Sequence, residues 1–239
     1  MSAVDTTFHR IRAEIAAGHL RPGQRLPTEA ELCAQLGVSR GSLREAIRML
    51  VALGVLENRP GSGAIVSRLR AEDIMSSLSL TVDLLPLGSL LGLYELRRLM
   101  EGHAAGQAAA RHPDSLVEVM EELLVAMEAT DDPTEISRLD HEFHSAIAAC
   151  CGNPALEEFL RVLRSRSRNY QLFNLPVGPD VKRVSDAGHR AIARAVARRD
   201  PGAATVAASD HVAQTEEWLR RHFDEVQFTG SGPAAGEGS

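Results

Sequence analysis

The chain has 239 residues, 44% hydrophobic, 24% charged and 4% aromatic, with a net charge of −6. That length fits two domains each able to bury a core, and a composition poor in aromatics and rich in Ala and Leu leans helical. No stretch approaches the roughly 20 uninterrupted apolar residues of a membrane span. Acidic Asp5 stands where a signal peptide would begin its apolar run. A membrane partner is therefore excluded and a cytoplasmic location expected.

The three cysteines, Cys33, Cys150 and Cys151, are odd in number and include an adjacent pair, which suits neither a disulfide framework nor a Cys-x-x-Cys metal knuckle. Buried packing in a reducing compartment is the plainer reading. The acidic net charge weighs against nucleic acid until it is divided along the chain. Residues 1–67 hold eight Arg against six Asp and Glu, so +2, which leaves −8 for the remainder. The sign favours the N-terminal segment as the one that meets phosphate.

In chain order, residues 6–17 place Phe8, Ile11 and Ile15 at helical spacing, and Gly18 with Pro22-Gly23 ends that helix in a turn. Thr28-Glu29-Ala30-Glu31 has the form of a capping box and opens a second short helix carrying Leu32 and Leu36 inward. Gly37 closes it, Ser39 caps a third helix, and Leu43, Ile47 and Leu50 continue the apolar stripe to about Leu53. Beyond Gly54, residues 55–59 and 64–66 flank Pro60-Gly61-Ser62-Gly63 and read as a hairpin, the wing of a winged helix-turn-helix. From Ser67 to about Val226 the pattern is helical. Breaks are predicted at Pro86, Pro113, Pro133, Pro154, Pro179 and Pro201, since Pro suits a helix start and disrupts its interior.

The fold class expected is mainly α: three helices plus a β-hairpin, then an all-α antiparallel bundle. The divisions are 1–67 for the winged head, 68–84 for a linker and connecting helix, 85–228 for the helical domain, and 229–239 for a Gly-rich disordered tail.

Arg40, Arg44 and Arg48 fall four residues apart on the third helix, opposite its apolar stripe. One side packs and the other presents guanidiniums, which grip guanine O6 and N7 in pairs, while Ser39 and Ser42 suit phosphates. These residues carry a resemblance. Gly18, Pro22-Gly23, Leu26-Pro27-Thr28-Glu29, Gly37-Val38-Ser39-Arg40, Leu43-Arg44-Glu45-Ala46 and Pro60-Gly61-Ser62-Gly63, in that order, resemble the GntR-family winged helix-turn-helix. The resemblance implies that Arg40 and Arg44 touch DNA and that the wing around Gly61 and Gly63 enters the minor groove. Thr28, Ser39, Ser42 and Arg48 complete the expected contact surface. One departure is Ala30, where some members of the family carry a DNA-contacting Arg.

In the helical half Asp140 and His144 stand at i and i+4, and His189 and His211 fall on two further predicted helices. Convergence would give three imidazoles and a carboxylate, a set suited to Zn, Ni, Mn or Fe. By spacing alone, a surface or core placement of these residues remains open. Residues 90–222 resemble the FCD ligand-binding domain of the FadR-type branch through Tyr94-Glu95-Leu96-Arg97, Leu139-Asp140-His141-Glu142-Phe143-His144, Gly152-Asn153-Pro154, His189-Arg190-Ala191-Ile192 and His211-Val212. That resemblance implies Asp140, His144, His189 and His211 as metal ligands, zinc first, with Arg97 reaching a small carboxylate effector. A surface pairing of Arg97 with Glu95 or Glu101 is the other reading. The family commonly has an acidic residue before the third ligand, whereas Gly188 precedes His189 here. Arg164, Arg166 and Arg168 read as an exposed run, one of which could face the pocket, and Asn153 as a helix cap.

The function expected is a ligand-responsive repressor, not an enzyme, that binds a palindromic double-stranded operator as a homodimer. A metal-dependent enzyme and a purely structural metal are the alternatives.

Overall fold

The computed structural model describes residues 2–59, 61, 63–82, 85–111, 113–167 and 172–222. The expected tail at 229–239 lies outside them, as do Pro60 and Ser62 of the wing turn and Arg168 of the arginine run. The chain divides into two compact units, Met1–Leu78 and Ser79–Ser239.

The first unit begins with α1 (Ala3–Ala16), whose start is closed by a capping box between Ser2 and Asp5. A second capping box, Thr28 with Glu31, opens α2 (Glu29–Leu36), and Gly37 ends it at φ 64, a left-handed turn that any side chain would strain. Ser39 then caps α3 (Arg40–Ala52) by accepting from the Ser42 amide. Strands β1 (Leu56–Arg59) and β2 (Gly63–Val66) form an antiparallel hairpin in the register Leu56 with Val66 through Arg59 with Gly63.

A third edge was not legible in the sequence. Residues 23–26 lie along β2, with backbone bonds from Leu26 N to Ala64 O at 2.9 Å and from Val66 N to Gln24 O at 2.8 Å. Arg25 bridges Ile65. The segment is too short and too rich in turn residues to show a period of two.

The core of this unit joins all its elements: Ile11 from α1, Leu32 from α2, Leu43 and Leu50 from α3, and Leu56 and Val66 from the hairpin. Leu43 is fully buried. Leu43→Ala is expected to lower the stability of this unit by about 3 kcal/mol through lost contact and an unfilled cavity. The readout is a fall in the urea midpoint of its transition, and an unchanged midpoint would show that α3 is not keyed into a single core.

The linker stretch contains two short helices, α4 (Ala71–Ser77) and α5 (Ser79–Val82). The second unit is then built from α6 (Leu87–Arg111), α7 (Asp114–Glu128), α8 (Pro133–Ala149), α9 (Pro154–Ser167), α10 (Gly178–Ala197) and α11 (Pro201–Arg221), with a 3₁₀ turn at Leu172–Asn174. All six predicted prolines stand at or within two residues of a helix start. Asp132 and Asp200 cap two of those helices.

Helices α6 and α11 run antiparallel at close range. The Ser209 hydroxyl donates to Arg98 O at 3.1 Å. A Cβ at Gly102 would lie 2.3 Å from Ser209 Oγ, and one at Gly106 would lie 2.4 Å from Thr205 Oγ1. These glycines let the two helices approach, and the apolar core spreads from them through Ala105, Ala108, Phe143, Ile192 and Ala208. No helix among the described residues is long and apolar enough to cross a membrane.

Candidate metal centre and candidate nucleic-acid interface

Three helices of the second unit bring four polar groups together. Asp140 and His144 come from α8, one turn apart. His189 comes from α10 and His211 from α11, and one ligand atom from each of the four lies within 4.8 Å of all the others. His144 Nε2 stands 3.2 Å from His189 Nε2 and 3.2 Å from His211 Nε2. Asp140 Oδ1 is 3.1 Å from His189 Nε2. All three imidazoles are buried.

The protonation of His144 is set from behind. Its Nδ1 is 3.0 Å from Glu101 Oε2. The proton therefore sits on Nδ1, and the Nε2 lone pair points at the other two rings. Burial, reinforced by the Arg164 charge, pushes the His144 imidazole down to about 4, and burial with the neighbouring rings pushes His211 down as well. The His144 lone pair thus faces the Nε2 atoms of both other rings, an arrangement that a cation between them would satisfy. Two ligands about 2.1 Å from one ion at tetrahedral to octahedral angles lie about 3.0–3.4 Å apart. The 3.2 Å spacings match, so the residues present fit a divalent transition ion.

The sequence offers Glu101 only as a surface partner for Arg97, and Arg164 as one of three arginines in an exposed run of which one could face the pocket. Both are buried. Arg164 Nη1 donates to Glu101 Oε2 at 2.9 Å, and its Nη2 donates to Asp140 Oδ2 at 2.6 Å. The correction has a physical reason: Arg164 lies on the stripe of α9 that also buries Leu160 and Leu163, and the carboxylates compensate its charge there.

Arg97 is buried too, not at the surface. Its Nε donates to Glu101 Oε1 at 2.9 Å, and its guanidinium stacks 4.7 Å from the Tyr94 ring centroid. Burial is the largest single influence and raises both carboxyls, but Arg164 acting together with Arg97 and His144 at Glu101, and with His189 and His144 at Asp140, holds them well below the usual carboxylate range. Two arginines and two carboxylates thus balance before any metal enters. Beside them lies a cavity of about 70 Å³ lined by Arg97, Arg164, Asp140, His211, Ser185 and Thr215 among others.

Gly188 has a steric role that the sequence reading missed. A Cβ there would lie 2.5 Å from His211 Nδ1, so the bare backbone is what admits the His211 ring.

In the first unit Arg40, Arg44 and Arg48 are all exposed along α3, on the side away from Leu43 and Leu50. Ser39 spends its hydroxyl on the cap and on Ser42 Oγ at 3.0 Å, and Thr28 spends its own on Glu31. Gly61 and Gly63 hold the wing turn at φ 74 and 76.

Residues 3–66 match the bacterial regulatory proteins of the gntR family, and residues 92–214 match the FCD domain. Over 225 residues the chain is 34% identical to the Glc operon transcriptional activator of Escherichia coli (strain K12), covering 90% of this chain and 87% of that one. It is 31% identical over 208 residues to the HTH-type transcriptional repressor NanR of Klebsiella aerogenes, covering 83% and 78%. The solved structure of Streptococcus agalactiae GntR superposes with a TM-score of 0.54 at 30% identity, covering 90% and 99% of the two chains. These relatives are transcription regulators, not enzymes. With a winged helix-turn-helix carried by one match, a helical bundle by the other, and likeness along most of its length, the chain belongs to the GntR family of DNA-binding transcription regulators, in the branch that bears an FCD domain.

Proposed function

We propose that the chain is a cytoplasmic, homodimeric repressor whose fit to a palindromic operator changes when a small carboxylate binds beside a divalent transition metal. Zinc is the first choice of metal, and nickel, manganese or iron suit the same donors. Two α3 helices related by a dimer axis would enter successive major grooves, with Arg40 and Arg44 at base edges, Ser39, Ser42, Arg48 and Thr28 toward phosphates, and Gly61 and Gly63 in the wing. The observation that carries this reading is the row of exposed guanidiniums at the capped start of α3.

The effector half of the proposal rests on charge. With the charges of Arg97, Arg164, Glu101 and Asp140 already balanced, the centre becomes net positive when a divalent ion binds Asp140, His144, His189 and His211. A bound ion would supply a Lewis-acidic position open to a carboxylate oxygen. Arg97 and Arg164 line the adjoining cavity and offer forked donors to the same anion.

The test is an electrophoretic shift of the metal-loaded protein on the intergenic DNA beside its own gene, titrated with hydroxy acids, sugar acids and dicarboxylates. At least one is expected to change the affinity by a factor of about 5–150. Metal in the protein with no response to any of them would reduce the ion to a structural tie.

Gly188→Ala gives a separate check on the centre. The added methyl group displaces the His211 ring, and metal affinity is expected to fall about 10–100-fold, as when a supporting group of a ligand is lost. Competition with a chelating dye measures it, and wild-type affinity would show that His211 is not a ligand.

A further inference from the structure

The DNA-facing edge of the first unit also holds an acid. Glu29 is the first residue of α2, and its carboxylate is clamped to Arg44 of α3. Arg44 Nε donates to Oε1 at 2.9 Å and to Oε2 at 3.1 Å, and Arg44 Nη2 donates to Oε2 at 3.0 Å. The neighbouring cations are held differently. Arg48 makes one contact of 3.2 Å, to Glu45 within its own helix, and Arg40 has no ion-pair partner among the described residues.

A carboxylate at this edge repels phosphate, so it works against simple affinity for DNA. An ion pair this exposed also adds little to fold stability. Its geometry offers a different use. A guanidinium carries five N–H donors in one rigid plane. Glu29 occupies the edge made by Nε and Nη2. The edge made by Nη1 and Nη2 stays open, and its parallel N–H bonds match guanine O6 and N7. A side chain already held in one plane gives up less rotamer freedom when it reads a base.

We propose that Glu29 is a positioning residue for operator reading, fixing the plane of Arg44 so that its open edge addresses one guanine. The acid gives up overall affinity in exchange for discrimination at that base pair. This inference rests on the operator contact proposed above for Arg44. Hydrogen bonding to Arg44, with Arg40 nearby, holds the Glu29 carboxyl below the usual carboxylate range, so the clamp stays ionised at neutral pH.

The test uses the full chain and a duplex that the wild type enriches from a randomised pool, together with every single-base variant of that duplex, by fluorescence anisotropy. Glu29→Gln is expected to bind random duplex as well as the wild type or better. Its discrimination at one G·C pair should fall about 10-fold, at the same pair where Arg44→Ala loses its reading. Glu29→Asp, shorter by one methylene, should fall between the two. In Glu29→Gln/Arg44→Ala the loss should equal that of Arg44→Ala alone, which separates action through Arg44 from a general defect. Full discrimination in Glu29→Gln would overturn the proposal, as would a further loss at a different base pair in the double variant. A wild type that bound every duplex alike would instead overturn the operator reading itself, before any variant is made.

Discussion

His189→Ala is expected to abolish tight metal binding by the second unit, and with it the thermal stabilisation that a bound ion provides. His189 is 1% exposed, its Nε2 lies 3.1 Å from Asp140 Oδ1 and 3.2 Å from His144 Nε2, and its ring packs 4.7 Å from that of Phe143. An ion present at a thousand times its dissociation constant stabilises the folded state by about 4 kcal/mol. In a unit of this size each kcal/mol moves the melting point by about 2–4 °C. Chelation should therefore lower the wild-type melting temperature by about 8–16 °C in calorimetry. Deleting a buried ring also leaves a cavity, so the variant will melt lower for that reason alone. The decisive quantity is thus the difference with and without chelator. It should vanish in His189→Ala and persist in Arg183→Ala, whose side chain is 75% exposed, and a full chelator-dependent shift in His189→Ala would remove this residue from the centre.

How much of this centre was legible follows from the range of the interactions involved. The head is written in local chemistry: Thr28 with Glu31, Ser39 with Ser42, and Gly37 in a left-handed turn each act within four residues, and each stands where the sequence placed it. The metal ligands needed more. Asp140 and His144 share a helix face at i and i+4, but His189 and His211 come from two other helices, so spacing alone left them open and only resemblance joined them.

Glu101 and Arg164 show the limit. They are 63 residues apart on α6 and α9, and their pairing exists only once those helices pack. A signal was present all the same: Arg97 and Glu101 lie on the stripe of α6 that also buries Tyr94, Ala104, Ala105 and Ala108, and ionisable residues in an apolar stripe call for compensation by other helices. Gly188 misled in an instructive way. Read as a missing acid, it is in fact the space into which His211 fits, a steric relation between α10 and α11 that no single helix encodes.

The other large effect is expected at the opposite end of the chain, in Arg40→Ala/Arg44→Ala. Both side chains are exposed at the start of α3, where the Ser39 cap fixes the helix axis and the Leu43 and Leu50 side fixes its rotation. Neither guanidinium belongs to the core, so the double variant should keep the wild-type melting temperature. Each arginine that meets a base edge through paired hydrogen bonds contributes about 10-fold or more in preference for its base pair. Losing both should weaken operator binding by at least about 100-fold, toward the affinity for unrelated duplex. Anisotropy on operator and scrambled DNA at one salt concentration measures the two affinities whose ratio matters. The salt dependence adds a second reading: arginines that contact bases leave the slope nearly unchanged, whereas two phosphate contacts would lower it by about 2. A small loss shared equally by operator and scrambled DNA would place both residues on the backbone and move sequence reading to another element. Undiminished discrimination in the double variant would mean that this face of α3 does not enter the groove at all.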